Sequence, residues 1–451
     1  MCYNKRMKGV TDMRNLRNII LLALVTALLM SGCSMYTVSE LYCLPARSEE
    51  YTNLQSVMAK AMSGMEYCAP VSGDNQQTVQ AVDLDGDGEK EYLLFAKGTS
   101  EKPLQIFVFS GDGENYELLD TIESTGTSFD RVEYVKMDDT AGYEIVVGRQ
   151  ISDQVVRSLS VYTLRGGQIE QIMSANYSEF VCSDLNSDSR SDILVLRPGE
   201  STNGVAVLYS IERGTLERSQ EVPMSEPAEN IMRIMSGRLD DGVPAVYVAS
   251  SVSGGSGIIT DIFALVDGQL TNVSLSNESG TSVQTLRNYY VYADDIDSDG
   301  VLELPSLITM KQTQDNYDAS SQYIICWYAM TSDGTKVPKL YTYHNYLGGW
   351  YLELDGTIAD RFTVTQKGSS YEFSLWNEDM TQSEKLMTVY VLTGQRREEQ
   401  AVAENRFVLH RGDSTIYSAD LEVASAAYGM TKDSLIASFH LILEDWKTGE
   451  T

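Results

Sequence analysis

Proline and histidine are both scarce in this chain, with 9 and 3 residues in 451. So little proline excludes a collagen-like or proline-rich low-complexity protein. His344, His410 and His440 show no HExxH spacing and no Ser/His/Asp order, which leaves zinc-protease and triad chemistry without its residues. The six cysteines form no CxxC pair, so no zinc site is visible by spacing. No GxGxxG or Walker loop follows a strand and opens a helix, which removes nucleotide chemistry. Positive charge is short as well: 34 Lys and Arg face 64 Asp and Glu, for a formal net charge of −30. A surface of that sign repels phosphates, so nucleic acid is excluded as the main partner, and cation binding fits better. Against these shortages stand 43% hydrophobic residues, 34 glycines and 27 tyrosines, the composition of a globular protein. The length allows two to four domains or one large repeat array.

The one long apolar run is at the N-terminus. Lys5, Arg6, Lys8, Arg14 and Arg17 precede the twelve residues Ile19 to Met30, and Met30-Ser31-Gly32-Cys33 follows with small residues before a cysteine. Twelve residues fall short of the ~20 that cross a bilayer core, so residues 1–32 read as a cleaved signal peptide. The ending resembles the bacterial lipobox, with Met30 where that motif usually has Leu. The resemblance implies lipid on Cys33 and an extracytoplasmic protein held to a bacterial membrane, at the cell surface or the periplasmic face. An ordinary signal peptide that happens to contain Cys33 is the alternative, and Met13 can serve as the start. Cleavage removes five basic residues and one acidic one, leaving the remainder more acidic than the whole. Cys43 and Cys68 flank a predicted helix and can bridge in an oxidising compartment, while Cys182 and Cys326 sit in strand-like runs as small apolar residues.

Residues 33–74 read as the lipidated cysteine, a tether and one amphipathic helix. From Ser48 to Gly64, Leu54, Val57, Met58, Ala61 and Met62 fall at helical spacing, forming a packing face. From 75 to 345 the pattern becomes short alternating strands broken by Gly, Asp, Asn and Ser. Five segments recur there: VDLDGDGEKEYLLF, VKMDDTAGYEIVVG, SDLNSDSRSDILVL, SGRLDDGVPAVYVA and DDIDSDGVLELPSL. They align with Asp83, Lys136, Asp184, Gly237 and Asp295 at position one, at spacings of 53, 48, 53 and 58. A period near fifty, with a strand, an acidic loop, a strand and a hairpin, predicts the blades of a β-propeller.

Three of these loops carry metal-binding chemistry. In the first, Asp83, Asp85, Asp87 and Glu91 stand at positions one, three, five and nine, Glu89 offers its carbonyl at seven, and Gly88 holds position six. Six or seven oxygens in that arrangement suit Ca²⁺ better than Mg²⁺, which prefers a tighter octahedron. Asp295, Asp297, Asp299, Val301 and Glu303 repeat the pattern around Gly300. Asp184, Asn186, Asp188, Arg190 and Asp192 form a third and weaker version, with Ser189 in place of the glycine. An EF-hand or dockerin-like loop needs a carboxylate at position twelve, where this chain has Leu94, Val195 and Ser306. Two to three calcium sites are expected, and none in the second and fourth loops.

These loops resemble FG-GAP or VCBS repeats, the blade units of integrin α-subunit propellers and of many secreted bacterial proteins. The resemblance covers about 75–345, on the first, third and fifth loops, and the whole chain is similar to uncharacterised FG-GAP lipoproteins of bacteria. It implies a mainly β fold, a propeller of five recognisable and up to seven blades, with calcium in the loops and no settled activity.

Residues 346–451 lack the acidic loops. Strand-like segments at 362–365, 371–376, 386–392, 406–410 and 415–421 and a helix from Thr431 to Trp446, with Leu435, Phe439 and Ile442 as its stripe, predict a C-terminal α+β cap, or alternatively the last two degenerate blades. Arg411-Gly412-Asp413 reads as a hairpin turn. Trp327, Trp350 and the tyrosines offer surfaces for sugar rings, although most such residues build cores. With no catalytic motif in view, the expected function is a non-catalytic module, without enzymatic activity, that binds an extracellular protein or glycan. A polysaccharide lyase or hydrolase on a propeller scaffold is the alternative, and an envelope assembly or sensing partner is a third.

Overall fold

The computed structural model describes residues 49–112, 115–152, 157–212, 215–289, 291–312 and 322–442. The signal segment, Cys33 and Cys43 lie outside these residues, and with them the lipid and Cys43–Cys68 expectations. Two compact units divide the chain. The first contains the N-terminal helix Glu49–Ala61 as far as Lys60, together with Asp112 and 115–117. Leu54 and Met58 of the predicted stripe are buried, and Asn53 accepts the backbone N–H of Tyr116 at 2.9 Å. No helix among the described residues is long and apolar enough to cross a membrane.

The second unit is mainly β, built from antiparallel sheets of consecutive strands. Sheet I holds Glu66–Tyr67, Val79–Val82, Glu91–Lys97, Leu104–Gly111 and Tyr116–Ser124. Sheet II holds Ser128–Val135, Glu144–Gln150, Arg157–Arg165 and Gln168–Tyr177. Sheet III runs from Glu179–Ser183 through Asp192–Pro198 and Gly204–Glu212 to Thr215–Arg218, with Val222–Pro223 beside its third strand. Sheet IV comprises Ile231–Arg238, Pro244–Ser251, Ile258–Val266 and Gln269–Asn272. Sheet V comprises Leu304–Thr309, Tyr323–Met330, Lys336–Asn345, Trp350–Leu354 and Phe439–Leu441, and sheet VI the strands between Phe362 and Leu421.

The inner strands are apolar at successive positions, not at every other one: Leu93, Leu94, Phe95 and Ala96 are all 0% exposed. Alternate side chains of a strand point to opposite faces, so both faces of these sheets are covered. In sheet II, Ile145 and Val147 join the core of sheet I, whereas Val146 joins that of sheet III. Leu194 and Leu196 of sheet III pack with Val246 and Val248 of sheet IV, whose Ala245 and Tyr247 pack with Leu304 and Tyr328 of sheet V. Sheet V in turn shares Ile324 and Trp350 with Phe373 and Val389 of sheet VI. Each of sheets II to V therefore stacks on the one before it and the one after it.

Two local expectations change. The helix expected over 431–446 is the shorter Lys432–Ala437, opened by a Thr431–Ser434 capping box and followed by a strand. Phe439 pairs with Leu352 and stacks on Trp350 at 5.5 Å, so burial on sheet V overrides the helical spacing of Leu435 and Phe439. Gly237 is also not the first residue of a loop. It pairs with Ala245 inside sheet IV, and only 239–243 separate the last pair, Arg238 and Pro244. The corresponding loops over 83–90, 136–143 and 184–191 are longer.

Neighbouring sheets are stitched through these loops. Tyr143 donates its backbone N–H to Leu84 O at 3.2 Å, and Ser191 to Lys136 O at 2.6 Å. The close approach needs glycine: a Cβ on Gly86, at φ +77°, falls 2.3 Å from that of Ala141, whereas one on Gly88, at φ +94°, meets open space. Gly86→Ala should cost about 1–3 kcal/mol more than Gly88→Ala, which bears only backbone strain of about 1–2 kcal/mol. Chemical denaturation of the two variants checks this, and equal midpoints would refute it.

Candidate functional site

The first three acidic loops join consecutive strands, the fifth is closed by the isolated bridge of Asp294 with Glu303 before Leu304–Thr309, and one contact recurs in four of the loops. The acid at position nine ends the loop and accepts the backbone N–H of position two. Glu91 takes that of Leu84 at 2.8 Å, Glu144 that of Met137 at 2.9 Å, Asp192 that of Leu185 at 3.0 Å, and Glu303 that of Ile296 at 3.1 Å. All four acids are buried, at 0–3% exposure. Burial pushes each of them up, Asp192 to about 6 and Glu303 to about 7, with the neighbouring carboxylates adding to the shift in Glu303.

The first, third and fifth loops share a backbone shape. Positions four and six are left-handed in each: Gly86 and Gly88, Ser187 and Ser189, Ser298 and Gly300. That bend turns the position-six N–H onto the first carboxylate, from Gly88 to Asp83 at 3.1 Å, Ser189 to Asp184 at 2.9 Å and Gly300 to Asp295 at 2.9 Å. Position seven donates its N–H to position five: Glu89 to Asp87, Arg190 to Asp188 and Val301 to Asp299, at 2.8–2.9 Å. The backbone thus holds like charges together before any cation arrives.

Two clusters emerge that can hold a metal ion. Asp83, Asp85 and Glu91 bring one carboxylate oxygen each within 4.8 Å of one another, as do Asp295, Asp297 and Asp299. Asp87 stays outside the first set and Glu303 outside the second. The second set adjoins an orphan: Glu303 Oε1 is buried and has no hydrogen-bond partner among the described residues. An all-oxygen donor set of this charge fits a hard divalent cation. In the third loop the guanidinium of Arg190 instead occupies Asp188, through Nε at 3.0 Å, and lies 3.4 Å from Asp139 of the second loop. Although burial raises Asp188, those hydrogen bonds outweigh it and leave the carboxyl below its usual range. In the second loop Lys136 lies over the Tyr143 ring at 5.1 Å, and Asp138 pairs with Arg165 at 3.3 Å. The fourth turn closes on its own backbone, Leu239 N–H to Val243 O at 2.8 Å.

A different feature went unread in the sequence. The first strands of sheets II, III and IV line a cavity of about 480 Å³ with Arg131, Glu133, Glu179, Phe180, Met232 and Arg233 among its walls. Arg131 lies 3.8 Å over the Phe180 ring and 3.1 Å from Glu133, while Glu179 pairs with Arg157 at 3.1 Å. Arg233 lies 5.3 Å over the Tyr292 ring. The available signal was charge at alternate positions of strands that otherwise read as core, as in Arg131 and Glu133. Cys182, also in the wall, is kept protonated, because burial and the Glu133 carboxylate push its thiol well up.

The histidines do not gather into a catalytic group. His344 and His440 stack on Tyr351 at 5.0 and 4.8 Å, and burial lowers His344 to about 3. The Arg-Gly-Asp segment is the expected hairpin turn, with Arg411 paired to Glu398 and Gly412 N–H on Thr415 O at 2.9 Å.

No protein-family model matches the chain, and no curated protein matches it. Among solved structures it is similar to rhamnogalacturonan lyase YesW, at 11% identity and a TM-score of 0.32 over 71% of this chain and 62% of that one. A Bacillus licheniformis rhamnogalacturonan lyase follows at 13% and 0.29 over 68% and 60%, and the exotype rhamnogalacturonan lyase YesX at 12% and 0.25 over 69% and 61%. The chain thus spans three fifths of the length of these lyases. All three are enzymes, and the expectation of a protein without enzymatic activity is corrected on that finding. At these scores no residue role passes to this chain.

Freeing Asp188 tests the account of the third loop. Arg190→Gln should raise the cation affinity of that loop, seen as added stoichiometry or a tightened weak phase in a calorimetric Ca²⁺ titration. An isotherm identical to that of the unaltered protein would refute competition by Arg190.

Proposed function

We propose that this chain is an exported, lipid-anchored, calcium-binding β-propeller of the FG-GAP type that engages an extracellular glycan. The observation that carries the reading is the recurrence of one loop geometry, left-handed at positions four and six, in the first, third and fifth loops, which belong to alternate sheets of the stack. Sheets that pack on both neighbours support blades, because a blade alone leaves its apolar faces wet. In the first loop Asp83, Asp85 and Glu91 would hold one ion; in the fifth, Asp295, Asp297 and Asp299 would, with Glu303 behind them. Bound calcium would neutralise carboxylates that otherwise repel one another and so stiffen the loops that stitch sheet to sheet. The lipobox-like ending at Cys33 supports the membrane anchor, and the acidic surface supports a partner other than nucleic acid. A protein ligand in place of a glycan is an outcome that a surface-extract pull-down would report.

The second reading is a carbohydrate-active enzyme, a lyase or hydrolase, using the propeller as its scaffold. It is favoured by the cavity, which sets carboxylates and guanidinia in one opening as acid–base work on a sugar requires. Release of reducing sugar or unsaturated uronate from acidic polysaccharides would identify it.

Calcium dependence is tested by thermal melts of the purified chain in EDTA and then in ~1 mM Ca²⁺. Sites with Kd of ~10⁻⁴ to 10⁻³ M each add roughly 0.4–1.4 kcal/mol by mass action, so two add about 1–3 kcal/mol. At roughly 2 °C per kcal/mol for a unit this large, Tm should rise by about 2–6 °C, with much less in Mg²⁺. Asp85→Ala together with Asp297→Ala should abolish the rise, and an unchanged Tm in the unaltered protein would sink the calcium assignment.

A further inference from the structure

We infer that the cavity across the first strands of sheets II, III and IV is a binding site for a uronic acid unit of a glycan, with Arg233 receiving the sugar carboxylate. This deepens the glycan reading above and rests on it. The argument begins with charge. Arg131 is matched by Glu133, and Glu179 by Arg157, which also lies 3.5 Å from Asp130. Among the described residues Arg233 has no carboxylate partner, only the Tyr292 face beneath it. It is thus the one uncompensated charge in the wall. A half-buried guanidinium offers a planar fork that fits a carboxylate in a bidentate pair.

The rest of the wall selects what carries that carboxylate. Glu133 and Glu179 are acceptors, so they favour ligand groups that donate, as sugar hydroxyls do, and they disfavour a multiply charged phosphate. Ser236 adds a hydroxyl, and Met232 with Ile234 supplies apolar surface for the carbon face of a ring. A volume of about 480 Å³ lies in the range of roughly 300–1,000 Å³ found for small-ligand sites. On a chain of net charge −30, an acidic sugar is repelled everywhere except where a cation is left over. The same feature supplies selectivity, because a neutral sugar leaves Arg233 unanswered.

The test is calorimetric titration of the full chain in detergent, with Ca²⁺ present, using digalacturonate and a glucuronate-containing disaccharide against galactobiose and cellobiose. At least one acidic disaccharide should bind about tenfold or more tightly than its neutral counterpart, a preference weakened by added salt. Arg233→Gln should remove that preference, and Arg233→Lys should keep part of it, with the calcium-induced Tm rise unchanged in both. If acidic and neutral disaccharides bind alike, or neither binds while calcium still raises Tm, the uronate site is refuted and the calcium propeller stands. If calcium has no effect but the preference is present, the reverse holds. The unaltered protein decides the acid-over-neutral comparison by itself, so a variant that fails to fold does not leave the inference open.

Discussion

The contact on which the architecture depends is the buried carboxylate that ends an acidic loop, closed on the backbone N–H of the loop's second residue. Burying an acid is costly, and so is burying an unpaired amide. Joining the two removes both costs and fixes where the intervening loop begins and ends. Glu91, Glu144, Asp192 and Glu303 all make this closure, irrespective of what the rest of the loop contains. Thr163 reinforces one of them through a 3.3 Å bond to Glu144. The second loop, with Lys136 in place of an acid, keeps the closure and loses the cation ligands. The closure is thus structural first, and only that of Glu91 also belongs to a candidate metal cluster.

Stacking follows from strand periodicity. Once an inner strand buries successive side chains, adjacent residues serve different neighbours, and the sheet cannot be stable on one neighbour alone. That brings consecutive loops within backbone reach, as in the bonds from Tyr143 to Leu84 and from Leu302 to Arg238, at 3.2 and 3.1 Å. A cation held in one loop would therefore bear on the register of the next sheet. The first strands are more polar, and there the molecule can hold paired charges such as Arg131 with Glu133 around an opening without burying them unpaired.

How the sequence and the structure relate differs from element to element. The β class, the N-terminal helix and the strands of the last hundred residues were readable, because their apolar periods lie within a single element. Position six of the loops was readable as glycine in two cases and as an oddity in Ser189. Position four was not, since serine at Ser187 and Ser298 gives no warning of a left-handed backbone. Nor was the displacement of Arg190 into its own loop, because a residue expected to lend its carbonyl also carries a side chain free to choose a partner.

The sequence by itself determined the spacing of acids, the small residues that let those loops turn and the continuous apolar runs that cover both faces of the sheets. All of these are local, set by residues within one loop or strand. Only the tertiary structure decided that Phe439 joins a sheet in place of a helix and that Gly237 lies inside a strand. It also brought Arg131, Glu179 and Arg233 around one cavity, from strands about fifty residues apart in the chain. Such assignments depend on which partner surfaces meet once the sheets have stacked, and no window of sequence contains both partners.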